Sequence, residues 1–214
     1  MKNLIKKMLR ETLLVEGKQV GSLYHFTDII KAQEILQSGV MFTHAEKFKQ
    51  SERIFTCVST TRDKNFWDVP RELGARAQVR FNLNGDAISN RYQIKPFNYF
   101  NSMGTRGDNP AYNESEEIII LPAKNAGFKF DDYLIDITCD LNVLYKNNQR
   151  RFSEYEEMEQ HMRPILEDLL RLTYNCSEQG YSINIINNNE MSGSPILGPI
   201  IHEMSKYITN GEFY

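Results

Sequence analysis

The chain has 214 residues, 41% hydrophobic and 25% charged, with 25 Lys and Arg against 28 Asp and Glu and a formal net charge of −3. That size and mix suit one globular domain, or one domain with an added helical tail. The slight acidity argues against an extended nucleic-acid surface, which needs clustered Lys and Arg, and no apolar run approaches the roughly 20 residues that span a bilayer. Cys57, Cys139 and Cys176 are odd in number and widely spaced, which points to reduced thiols in a cytoplasmic setting.

In chain order, residues 1–18 open with an amphipathic helix, with Leu4, Ile5, Met8, Leu9 and Leu13 on one face. It has no continuous apolar core and makes a poor signal peptide. It reads as a docking helix, against the body of the protein or a partner. Residues 20–26 follow as a strand. Thr27 or Asp28 then caps a helix carrying Ile29, Ala32, Ile35 and Leu36, which Gly39 ends. A short strand is expected at 40–42, a polar stretch over 43–53, and a β-branched strand over 54–59. Residues 77–83 alternate with period two, and Asn84-Gly85-Asp86 turns the chain.

Pro96, Gly104, Gly107 and Pro110 make 94–110 a long loop of the kind that carries function. Glu117 to Leu121 is the most apolar run, ended by Pro122, and fits a strand buried on both faces. Another strand is expected at 133–138. Beyond Asn147 the pattern turns helical over 152–174, with Met158, Met162, Ile165, Leu166, Leu169 and Leu172 on one side. Pro164 should kink this helix or mark a second start. A last strand at 181–186 and a short helix within 196–208 complete the chain. The expected organisation is an α+β core over 19–145, preceded by the helix of 1–18 and followed by a mostly helical extension, 146–214, packed on the same domain.

Three segments carry candidate chemistry: Tyr24-His25-Phe26-Thr27, Ser59-Thr60-Thr61-Arg62 and Glu114-Ser115-Glu116-Glu117. Each falls at the end of an expected strand. Singly, each has a plain structural explanation: a core histidine, a helix cap, and a solvated acidic end before an apolar strand. His25, His44, His161 and His202 have no zinc spacing, so no metal site is expected. There is no Gly-x-Gly-x-x-Gly and no Walker loop.

In this order the segments resemble the ADP-ribosyltransferase fold, in which a strand bearing His or Arg is followed by a Ser/Thr-rich strand end and a later strand bearing glutamate. The likeness covers about residues 20 to 140 and leaves out the C-terminal third. The chain is also similar to a group of bacterial and phage proteins that share the Tyr-His-x-Thr start. Their Asp-Gly-Asp turn and Tyr-x-Ile-x-Pro piece correspond to Asn84-Gly85-Asp86 and Tyr92-Gln93-Ile94-Lys95-Pro96.

The resemblance implies a split β-sheet core with flanking helices and a helical C-terminal extension. It implies transfer of ADP-ribose from NAD, as substrate, to a macromolecular acceptor, with the acidic charge favouring a protein over a nucleic acid. Breaking the nicotinamide–ribose bond builds positive charge on the ribose, which a carboxylate stabilises. By resemblance Glu116 or Glu117 takes that part. Alternation points them to opposite faces, so only one lines the cleft, and Glu116 is preferred. His25 would donate hydrogen bonds to ribose hydroxyls, with Tyr24 or Phe26 packed near it. Ser59 and Thr61 would hold the nicotinamide end and steer the glutamate, with Thr27 and Thr60 in the same NAD-binding set. The phage likeness implies the host cytoplasm or the virion as location, and no membrane. Two rivals keep the same fold: a non-catalytic or virion-associated scaffold, and an NAD glycohydrolase that uses water as acceptor.

Overall fold

The computed structural model describes residues 20–41, 44–47, 54–65, 78–96, 116–121, 127–149, 152–187 and 192–208. The expected helix of 1–18 lies outside them, as do Glu114, Ser115 and most of the long loop. In chain order the elements are β1 (Ser22–Thr27), α1 (Ile29–Ser38), β2 (Val40–Met41), β3 (His44–Lys47), β4 (Ile54–Thr61) and β5 (Val79–Asn84). There follow α2 (Gly85–Ser89), β6 (Gln93–Pro96), β7 (Glu116–Leu121), β8 (Phe128–Lys129) and β9 (Leu134–Asp140). The chain then runs through α3 (Leu141–Gln149), α4 (Tyr155–Glu178), β10 (Ile183–Ile186) and α5 (Gly198–Met204). The fold is α+β, with one large sheet ordered β10-β9-β5-β1-β4-β7-β6, β3 pairing with β4 off this path, and β2 pairing with β8 apart from it.

β9 and β10 run parallel, whereas the other pairs of the large sheet are antiparallel. The strand expected at 181–186 is β10, and through it the mostly helical extension joins the sheet. One junction differs from its neighbours. β1 pairs with β5 over Ser22 to Thr27, and β4 with β7 over Thr56 to Thr61. β1 and β4 meet in register at Tyr24 and Thr61 alone. The sheet is therefore two ladders, β10-β9-β5-β1 and β4-β7-β6, joined at a seam.

One face of both ladders is apolar and packs under the helices. Leu23, Phe81, Leu83, Ile137 and Ile183 on one side of the seam, and Val58 and Ile119 on the other, share a core with Leu36, Met162, Leu166 and Leu172. α1 forms where the sequence predicts it. Asp28 is the cap, its Oδ1 accepting from Lys31 N at 2.7 Å, and Gly39 ends the helix at φ +66°. Its Ile29, Ala32, Ile35 and Leu36 are buried, and each large side chain contributes about 1.5–3 kcal/mol by leaving water. Gln33 Nε2 donates to Asp168 O at 2.8 Å, tying α1 to α4. α4 runs unbroken through Pro164, which sits on an exposed turn where the carbonyl it strips of a partner can take water.

Asn84-Gly85-Asp86 opens a helix instead of making a simple turn. Asn84 Oδ1 accepts from Ala87 N at 3.0 Å, capping α2. Gly85 N donates to Gly21 O at 2.8 Å, and a Cβ on Gly85 would stand 2.5 Å from that same oxygen. Only glycine fits there. Asp86 Oδ1 accepts from Val20 N at 2.5 Å and Gly21 N at 3.0 Å. Gly21 has φ +71°, which turns its amide toward the carboxylate. The segment is a clasp on the start of β1.

Three further elements depart from expectation, the first being β3, which lies within the expected polar stretch 43–53 and pairs with β4. β6 occupies Gln93–Pro96, the start of the expected loop, as an edge strand on β7, and Pro is tolerated on an edge. α3 lies between the strand expected at 133–138 and the helix expected at 152–174, where no element is expected. The three cysteines are buried and none is in a disulfide. Cys139 and Cys176 belong to the main core, and Cys57 packs with Ile118 in a small cluster of its own. Among the described residues no helix is long and apolar enough to cross a membrane.

Candidate functional site

The seam is where the candidate residues gather, and register decides which of them meet. His25 alternates with Leu23 and Thr27 along β1 and stands opposite Phe81, which places it on the core face. Its ring lies 6.4 Å from that of Phe81. One step past the Tyr24–Thr61 pair, the next residues on the two strands are His25 and Thr60. Thr60 is in turn in register with Glu117 on β7. His25, Thr60 and Glu117 therefore form a row across three strands, on the core face, at the point where the ladders part.

Hydrogen bonds fix the row. His25 Nδ1 lies 2.8 Å from the carbonyl of Ser59 across the seam. A carbonyl only accepts, so Nδ1 carries the proton, and Nε2 of the neutral ring is an acceptor. The donor role expected for His25 would need the doubly protonated ring. Thr60 Oγ1 donates to the Glu117 carbonyl at 3.0 Å in a buried bond. Thr27 is buried at the end of the strand, and its carbonyl accepts from Gln78 N at 3.0 Å.

Glu117 is the least satisfied group of the row. Its side chain is 10% exposed, and Oε1 pairs with Arg62 Nη2 at 2.7 Å. Oε2 is fully buried and has no hydrogen-bond partner among the described residues. A buried carboxylate oxygen left in this state costs free energy unless something supplies a donor.

The other expected site residues belong elsewhere. Tyr24 and Thr61 face the opposite side of the sheet, where Arg80 lies over the Tyr24 ring at 5.1 Å. Ser59 is exposed on that side, and its contribution to the row is its carbonyl. Thr61 Oγ1 accepts from Asp63 N at 3.0 Å, closing the turn after β4. Glu116 is in register with Thr61, one position off the row. The expected set thus divides into His25, Thr27, Thr60 and Glu117 on one face, and Tyr24, Ser59 and Thr61 on the other.

Arg62 is the member that the sequence did not single out. The signal was present: Arg62 follows Thr60 by two, so alternation sets both on one face, diagonal to the residue opposite Thr60. Comparison with protein-family models, curated proteins and solved structures found no match to this chain.

Proposed function

We propose that the chain is an NAD-dependent ADP-ribosyltransferase whose cleft opens at the seam between the two ladders, and that Glu117, not Glu116, is its catalytic carboxylate. The observation that carries this is the buried Oε2 of Glu117, without a hydrogen-bond partner among the described residues and on the same face as His25. A ribose hydroxyl donating to Oε2 satisfies it once the seam parts far enough to admit the sugar, because the oxygen is closed to solvent as the ladders stand. The carboxylate then stabilises the positive charge that develops as the C1′–nicotinamide bond breaks. Nicotinamide leaves with the bonding pair, becoming neutral, and an acceptor nucleophile forms the new bond to C1′. His25 is held on the same face through Nδ1, which donates to the Ser59 carbonyl. Thr60 fixes the main chain beneath Glu117. The parted ladders also fit the split sheet of the resembling family. The net charge of −3 favours a protein acceptor over a nucleic acid.

The test is purified protein with labelled NAD and a bacterial lysate, beside Glu117→Gln and Glu116→Gln. Label moving onto protein with wild type and Glu116→Gln, but not with Glu117→Gln, supports the reading. Free nicotinamide without labelling makes water the acceptor and the protein a glycohydrolase. If NAD is neither bound nor cleaved, the transferase reading fails and the seam is a scaffold feature.

A further inference from the structure

We infer that Arg62 is a positioning residue for Glu117, an inference that rests on the transferase reading above. The pair is asymmetric: the Glu117 side chain is 10% exposed and that of Arg62 is 47% exposed. Arg62 approaches from solvent and takes Oε1, so the oxygen left over is the buried one, Oε2. The Thr60 hydroxyl holds the same residue by its carbonyl. Glu117 is thus fixed at its main chain by one neighbour and at one carboxylate oxygen by another.

This arrangement has a consequence for recognition. A carboxylate with both oxygens open can grip a vicinal diol through two hydrogen bonds. With Oε1 paired to Arg62, the oxygen of Glu117 that lacks a partner among the described residues is Oε2, and that is the acceptor it offers to a hydroxyl. Arg62 acts through Glu117 and does not itself hold the substrate. Its effect is to aim a single acceptor at the reacting sugar, and a misplaced group of this kind costs up to about 100-fold in rate.

The experiment compares Arg62→Gln, Arg62→Lys and the double variant Arg62→Gln/Glu117→Gln with wild type, in NAD cleavage and in thermal unfolding. Arg62→Gln is expected to lower kcat about 10- to 100-fold with KM for NAD within about twofold, and Arg62→Lys to restore most of the loss. A rise in KM at unchanged kcat would mean that Arg62 binds the substrate directly, which overturns the proposal; so does failure of Lys to rescue. In unfolding, Arg62→Gln leaves a buried carboxylate without its counter-charge and should lower Tm by about 2–4 °C. Adding Glu117→Gln should return most of that. If Arg62→Gln does not shift Tm, or the second substitution deepens the loss, Arg62 does not hold the carboxylate. A wild type that leaves NAD intact sinks the transferase reading alone, because the melting pattern still decides the pairing.

Discussion

The two ends of β1 are built on opposite principles. At its amino end, Asp86 accepts hydrogen bonds from Val20 N and Gly21 N while Gly85 N donates to Gly21 O, and the glycine at 85 admits no added atom. At its carboxyl end the strand leaves β4 after the Tyr24–Thr61 pair, a histidine ring spans the gap to Ser59, and a buried oxygen of Glu117 has no donor among the described residues. Satisfied polar groups at one end make β1 a rigid arm. The unsatisfied group lies beyond the other end. Polar groups buried without partners are scarce in folded proteins, and such exceptions concentrate at functional sites.

That contrast can be broken most sharply at the seam. Glu117→Gln should lower the rate of NAD cleavage by about 100- to 1,000-fold, measured as nicotinamide release. A loss of similar size in Glu116→Gln, with Glu117→Gln active, would move the site to the other face of the sheet. The clasp comes next. Gly85→Ala drives a methyl into the Gly21 carbonyl and should cost about 1–3 kcal/mol in denaturant unfolding. Wild-type stability in this variant would mean that the start of β1 is free to shift, and the rigid arm would be lost from the account.

Smaller effects sharpen the picture. Asp28→Ala removes the cap on α1, the helix that follows directly from the His25 strand, and should cost about 1 kcal/mol by the same measurement. Asp86 gives the faintest signal, and a directional one. Its bonds from Gly21 and Val20 hold the carboxyl below its ordinary value. The stability it adds is present above the unfolded-state pKa and disappears as pH falls through the lowered folded-state value. Asp86→Asn should therefore be slightly less stable than wild type at neutral pH, with the two curves converging in acid. Curves that stay parallel to the acid end would show that the clasp does not depend on charge.

Much of the scaffold was legible from residues alone. β5 is written in alternation and β7 in an apolar run, β1 shows through a mixed pattern just before a capped helix, and α1 is bracketed by Asp28 and Gly39. β6 was hidden because Gln93-Ile94-Lys95-Pro96 has little strand character of its own and forms by pairing with β7. α3 was hidden by its Asn and Gln content, although its buried Leu141, Leu144, Tyr145 and Asn148 follow helical spacing. Asn148 proves compatible because its Nδ2 donates to Leu144 O at 2.8 Å. At the site, residue types were readable and faces were not. Alternation separates Glu116 from Glu117, yet which one shares a face with His25 depends on how β1 and β4 align. That alignment rests on one pair of residues 37 positions apart, and no local pattern encodes it.

The placement of the cysteines gives each face of the sheet its own timekeeper. Cys57 lies in the small cluster on the face turned away from the main core, and Cys139 and Cys176 lie in the main core under the helices. Burial pushes the Cys176 thiol up to about 12, and that of Cys139 well above its ordinary value. Neither forms an appreciable amount of thiolate until its surroundings come apart. The order in which an alkylating reagent finds the three thiols is therefore a record of which side of the molecule breathes first.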